Sequence, residues 1–194
     1  PAPQLANDVD IGRFLESHGI KVSGVIESEL GERFSHFEAF ESLASWCARH
    51  NVPGIQGVDT RALTTILRNQ GSTLGAILVG DEHQRIPDQS EFVDPMERNL
   101  IAEVSTKEPY TLHPVNGPSS ARAHIALIDF GLKANILRWL LRHDTSVTVL
   151  PWNYDFFSVR DQFDGLFLSN GPGSPNSLAY IMPCIRRTMD EWAR

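Results

Sequence analysis

The sequence predicts an α/β protein in two parts, a small mixed α/β domain over residues 1–118 followed by a doubly wound sheet over residues 119–194. Three observations predict it. Segments that read as strands recur at 22–27, 73–79, 123–128, 146–150 and 165–169; amphipathic helical patterns lie between them; and a stretch rich in Pro, Gly and Ser, 107–121, separates the two series.

In the first part, 22–27 reads as a strand, and Ser35-His-Phe-Glu38 offers a capping box for the helix that follows. Phe37, Phe40, Ala44, Cys47 and Ala48 recur at helical spacing and give that helix one apolar face, which Pro53-Gly54 ends. The next helix is expected between Gly57 and Gly71, with Asp59 or Thr60 as cap and Leu63, Ile66 and Leu67 as the buried stripe. Gly71 stands where the chain must leave the helix with positive φ. A strand at 73–79 completes the unit. Residues 80–95 are polar, carry two prolines and read as a connection.

In the second part, 123–128 is a strand, Asp129-Phe-Gly131 turns it, and a helix over 132–143 buries Leu132, Ile136, Leu137, Leu140 and Leu141. Strands follow at 146–150 and 165–169, the latter apolar enough to be covered on both faces, and a helix over 177–194 closes the pattern. Ligands of such folds bind beyond the C-terminal ends of the strands.

One loop stands at such an end, Phe167-Leu-Ser-Asn-Gly-Pro-Gly-Ser-Pro175. Gly171 and Gly173 have no Cβ, so the backbone can approach a ligand closely. Pro172 fixes its own φ and biases Gly171 towards extended geometry, which holds the remaining N–H groups in place before a ligand arrives. Pre-placed N–H groups are what an oxyanion hole requires. By itself a Gly-Pro-Gly tripeptide is an ordinary turn, and its neighbourhood must decide.

Composition excludes several classes. A net charge of −7 without a Lys/Arg cluster argues against a nucleic-acid or anionic-membrane partner. No apolar run is long enough to span a membrane as a helix. The first residues, Pro1-Ala-Pro-Gln-Leu-Ala, lack the basic start and apolar stretch of a signal peptide, so an intracellular protein is expected, cytoplasmic or mitochondrial. The two cysteines, Cys47 and Cys184, have neither disulfide-framework nor zinc-site spacing and read as small core residues. The setting of Cys184 lacks the Gly-x-Cys-x-Gly of a nucleophile elbow, so no catalytic residue is assigned.

Other motifs reduce to structure. Asp129-Phe-Gly131 matches three letters of a kinase signature, but no Gly-rich nucleotide loop or His-Arg-Asp loop precedes it. It reads as a strand-to-helix turn in which Asp129 bonds local N–H groups. His113, His124 and His143 show no ligand spacing, and no metal site is expected. Lys133 and Arg138 read as a solvated helix face, and Asp59 and Arg61 as cap and surface or domain-interface charges. A phosphate-binding use of the Gly-Pro-Gly loop is disfavoured, because Pro172 and Pro175 remove two of the N–H groups it would need.

Four blocks together carry a resemblance: Gly57-Val-Asp-Thr-Arg-Ala-Leu63, Gln70-Gly-Ser-Thr-Leu-Gly75, Asp129-Phe-Gly-Leu-Lys-Ala-Asn-Ile-Leu-Arg138 and Phe167-Leu-Ser-Asn-Gly-Pro-Gly173. In their order and spacing the chain closely resembles the glutaminase (small) subunit or domain of glutamine-dependent carbamoyl-phosphate synthase. The stretch 99–109 resembles eukaryotic members, whether separate subunits or parts of a multifunctional pyrimidine-synthesis protein.

The resemblance implies that residues 119–194 are the first half of a flavodoxin-like class I glutamine amidotransferase domain. A cysteine thiolate attacks the glutamine side-chain amide, and the ammonia released passes to a synthetase partner that joins it to ATP-activated bicarbonate. Carbamoyl phosphate then feeds arginine or pyrimidine synthesis. Gly171 and Gly173 are the positions that carry over, as backbone that holds glutamine and the oxyanion. ATP and magnesium or potassium are expected only in the synthetase. The family's nucleophile and its His and Glu partners have no counterparts here, so the chain is expected to be an excerpt, inactive alone and with an exposed apolar sheet edge. The alternative is a nucleophile-less module that docks on, and regulates, an ammonia-dependent synthetase.

Overall fold

The computed structural model describes residues 15–192, apart from 18, 32–33, 38, 40, 72, 79, 81–86, 89–90 and 93. They divide into two units, His18–Asp94 and Pro95–Arg194, the second joined by residues 15–17.

The first unit is built on a two-stranded parallel pairing, β1 (Val25–Ile26) with β2 (Gly54–Ile55), linked through helix α1 (Leu43–Arg49). The cap of α1 is Ser42, whose Oγ accepts from Ser45 N at 3.1 Å, so the helix begins seven residues later than a cap at Ser35 requires. Phe37 is consequently exposed, while Cys47 on the helix is buried. Glu38 and Phe40, the other residues of the expected box and face, lie outside the described residues. Helix α2 (Thr60–Gln70) has the expected ends: Asp59 Oδ1 accepts from Ala62 N at 2.9 Å, and Gly71 leaves with φ +85°. Its stripe differs from expectation. Leu63 is half-buried, whereas Ile66 and Leu67 are exposed at 49% and 38%. Residues 73–78 do not form the expected strand, and Val79 is outside the described residues. Instead Ile77 packs over Gly24, its Cδ1 2.7 Å from where a Cβ would stand.

The second unit carries a four-stranded sheet in the order β3-β5-β4-β6, formed by Tyr110–Leu112, Thr145–Pro151, Ala123–Asp129 and Gly165–Leu168 respectively. β4 lies parallel to both β5 and β6, and β3 is antiparallel to β5. Alternation along β4 divides the core. Ala126 and Ile128 face Leu150, Phe156, Phe163, Ile181 and Ile185 on one side. Leu127 faces Leu137, Leu140, Val147 and Val149 on the other. Helix α4 (Ala134–Arg142) covers the second face and helix α5 (Met182–Glu191) the first, with the short helix α3 (Leu100–Val104) contributing Ile101. Burial of these side chains drives the layering.

Two observations here turn on where strands find neighbours. Residues 110–112, inside the stretch read as a connection, form a strand paired with β5, and by contact they group with the second unit. β6 is paired with β4 alone among the described strands and is half-buried, with Leu168 41% exposed, rather than covered on both faces. Arg138 is not simply solvated: it donates to Leu15 O at 2.8 Å.

At the start of β4 the first face becomes polar. His124 Nε2 pairs with Thr148 Oγ1 at 2.8 Å, Thr148 with Thr111 at 2.8 Å, and His113 Nδ1 with Ser146 Oγ at 3.0 Å. Burial, and next the neighbouring His113, lower the pKa of His124, while Asp164 opposes them. Between the folded and unfolded pKa values the unfolded chain binds more protons, so stability is present above the unfolded value, about 6.5, and is lost as pH falls below it. The thermal midpoint is expected to drop between about pH 7.5 and about pH 5.5, and His124→Gln to flatten that slope. A slope unchanged in the variant would remove His124 from the account.

Candidate functional site

β4 and β6 run parallel with Ile128 opposite Leu168, so the turns that follow them emerge side by side. The first, Asp129-Phe-Gly131, is organised by the buried Asp129 carboxylate. Its Oδ1 accepts from Gly131 N at 2.9 Å and Leu132 N at 2.8 Å, the bonding expected of an aspartate that closes a turn. Its Oδ2 accepts from Thr106 N at 2.7 Å, and Ser105 Oγ accepts from Trp152 N at 2.9 Å. The chain leaving α3 is thereby tied to the ends of both β4 and β5. Phe130 anchors the turn in the core at 4% exposure.

The second turn packs directly on the first. A Cβ on Gly171 would stand 2.2 Å from Phe130 O, and one on Gly131, whose φ is +127°, would stand 2.8 Å from Pro172 Cδ. Neither glycine can carry a side chain without moving backbone or the proline ring. Gly173 is different: its φ is +80°, and a Cβ there would find only Leu100, at 3.8 Å. Beyond it, Ser174 Oγ accepts from Asn176 N at 3.3 Å and caps the single 3-10 turn Pro175–Leu178.

Gly171 and Gly173 thus lie exposed at the C-terminal end of the sheet, and their N–H groups have no hydrogen-bond partner among the described residues. Pro172 between them has no N–H. Two N–H donors on a short loop, the first held against Phe130, are suited to an oxygen that gains negative charge.

The loop's geometry at a strand end was legible in the sequence; its supporting wall was not. Ser169, Phe130 and Gly131 support the loop, and the usable signal was an Asp-x-Gly turn following one strand with a small hydroxyl residue ending its neighbour. Cys184 is on α5, half-buried, its Sγ 3.6 Å from Asp155 Oδ1. Burial raises its pKa, which keeps it a thiol. Cys47 is buried on α1 in the first unit. Burial, and then the Asp129 charge, push the Tyr110 phenol far above its ordinary range, so it stays neutral. Among the described residues, no group of three His, Cys, Asp or Glu side chains could hold a metal, and no helix is long and apolar enough to cross a membrane.

Comparison with known proteins covers both units. Residues 3–77 match the family model for the carbamoyl-phosphate synthase small chain, CPSase domain, and residues 126–192, which include the glycine loop, match that for class-I glutamine amidotransferase. The chain is 50% identical over 178 residues to a carbamoyl phosphate synthase arginine-specific small chain of Chaetomium globosum, covering 92% of this chain and 38% of that one. It is 43% identical over 190 residues to the protein of that name from Saccharomyces cerevisiae, covering 98% and 44%. The Neurospora crassa counterpart is 45% identical over 169 residues, covering 87% and 36%. The chain therefore spans less than half the length of these relatives.

Proposed function

Because the chain belongs to the carbamoyl-phosphate synthase small-chain family, we propose that it serves the glutamine-hydrolysing component of an arginine-specific carbamoyl-phosphate synthase. The observation that carries this reading is the pair of glycine N–H groups, without a hydrogen-bond partner among the described residues, held at the end of parallel strands. Attack of a thiolate on the glutamine side-chain amide puts negative charge on the carbonyl oxygen, and Gly171 N–H, with Gly173 N–H beside it, is the donor set for that charge. Collapse of the adduct breaks the C–N bond, leaves a glutamyl thioester for water to cleave, and frees ammonia. The ammonia serves a large synthetase partner, where bicarbonate and ATP, with its magnesium or potassium, are handled.

Within these 194 residues neither cysteine can take the nucleophile's part: Cys184 is a raised-pKa thiol on a helix, and Cys47 is buried. The expected result is that the 194 residues alone release no glutamate from glutamine, whereas the same sequence within a complete small chain, assembled with its synthetase, does. Coupled detection of glutamate measures both. Enzyme-like hydrolysis by the 194 residues would overturn this account, and a complete assembly that uses ammonia but never glutamine would favour the docking-module alternative.

A further inference from the structure

The oxyanion donors need aiming as well as placing, and one buried hydroxyl is positioned to aim one of them. Ser169 follows β6 and is 8% exposed. Its N–H continues the ladder by donating to Ile128 O at 3.2 Å. Its Oγ accepts from Phe130 N at 2.9 Å and donates to Asn170 O at 2.8 Å. Asn170 C=O and Gly171 N–H belong to the same peptide group, which is planar and trans. Fixing the carbonyl on one side of that plane fixes the N–H on the other.

We infer that Ser169 is a positioning residue for the reaction: by holding Asn170 C=O it orients the Asn170–Gly171 peptide so that Gly171 N–H points out of the protein towards substrate. This rests on the glutaminase reading given above. The same hydroxyl accepts from Phe130, so the peptide is referenced to the residue whose carbonyl already crowds Gly171. Two hydrogen bonds in series through one oxygen also polarise each other, which makes the donor at the far end of the peptide stronger. Without the hydroxyl, the 170–171 peptide can rotate and carry Gly171 N–H away from the developing oxyanion.

The test compares Ser169→Ala with Ser169→Thr, which keeps a hydroxyl, in a complete small chain assembled with its synthetase and in the 15N-labelled protein. Ser169→Ala is expected to lower kcat for glutamine by on the order of 10-fold to 100-fold, with KM little changed, since misplacement by about 1 Å costs about 10²-fold. Ser169→Thr is expected to recover most of that loss. The Gly171 amide resonance, single in the unsubstituted protein and in Ser169→Thr, is expected to broaden or split in Ser169→Ala. Unchanged kinetics with an unchanged Gly171 resonance would overturn the inference. So would equal impairment of both variants with a lowered melting temperature, which would mark Ser169 as a packing residue. Should the unsubstituted assembly hydrolyse no glutamine, the glutaminase reading fails, and the Gly171 resonance alone decides whether Ser169 sets the peptide.

Discussion

Gly171→Ala is expected to lower kcat/KM for glutamine by on the order of 10²–10³-fold, the loss typical of removing one oxyanion donor. The cause is displacement rather than deletion, since alanine keeps its N–H. Its methyl group would lie 2.2 Å from the carbonyl oxygen of Phe130, and that carbonyl belongs to a turn fixed by three hydrogen bonds to Asp129. The loop must therefore move, and the donor moves with it. Gly173→Ala is the informative comparison. There the new methyl finds space, and only the positive φ is penalised, by roughly 1–2 kcal/mol. Steady-state kinetics on both variants check this: equal losses would show that loop strain, rather than the position of the Gly171 donor, governs the rate.

Asp129→Ala is expected to destabilise the second unit by about 3–5 kcal/mol, from three N–H groups that lose their acceptor at about 1–3 kcal/mol each when buried. Partial access of water to Thr106 and Gly131 keeps the sum near the lower end. Against a typical total stability of about 5–15 kcal/mol, that loss is large. Asp129→Asn is expected to cost less, since its amide oxygen can still serve Gly131 and Leu132 while its NH2 opposes Thr106 N–H. Urea denaturation of each variant gives the values. A loss under about 1 kcal/mol for alanine would mean that the turn is held by Phe130 packing and not by the carboxylate.

The contrast between these residues explains what could be read from the sequence. The strands β4 and β5, helices α2 and α4 and the glycine loop were legible because periodicity, Asp59 and Gly71 as caps, and Gly-Pro-Gly are local signals. The start of α1 was not, since Ser35 and Ser42 both satisfy the local rule for a cap, and only tertiary packing selects between them. Strand β3 was hidden for a similar reason. Tyr110-Thr-Leu112 is too short to show alternation among prolines, and its strand character comes from β5, its partner 37 residues away at Thr111 and Thr148. Within the candidate site, Gly171 and Gly173 could be named from their own chemistry. Ser169 could not, because its contact with Phe130 spans 39 residues.

The strand order β3-β5-β4-β6 also bears on the path by which the second unit acquires its structure. β4, α4 and β5 form a continuous crossover whose paired residues, such as Ala123 and Thr145, are closer in sequence than the Ile125–Gly165 pairing of β4 with β6. Loop-closure entropy grows with separation, and early nuclei favour the closer pairing backed by a helix. Leu127, Leu137, Val147 and Val149 are therefore the natural transition-state core, and β6 joins afterwards on the opposite side of β4. The glycine donors hang on that later step. A partly folded chain can hold a native-like β4–α4–β5 layer and still lack the cradle, so the glycine loop is set at the end of folding rather than its middle.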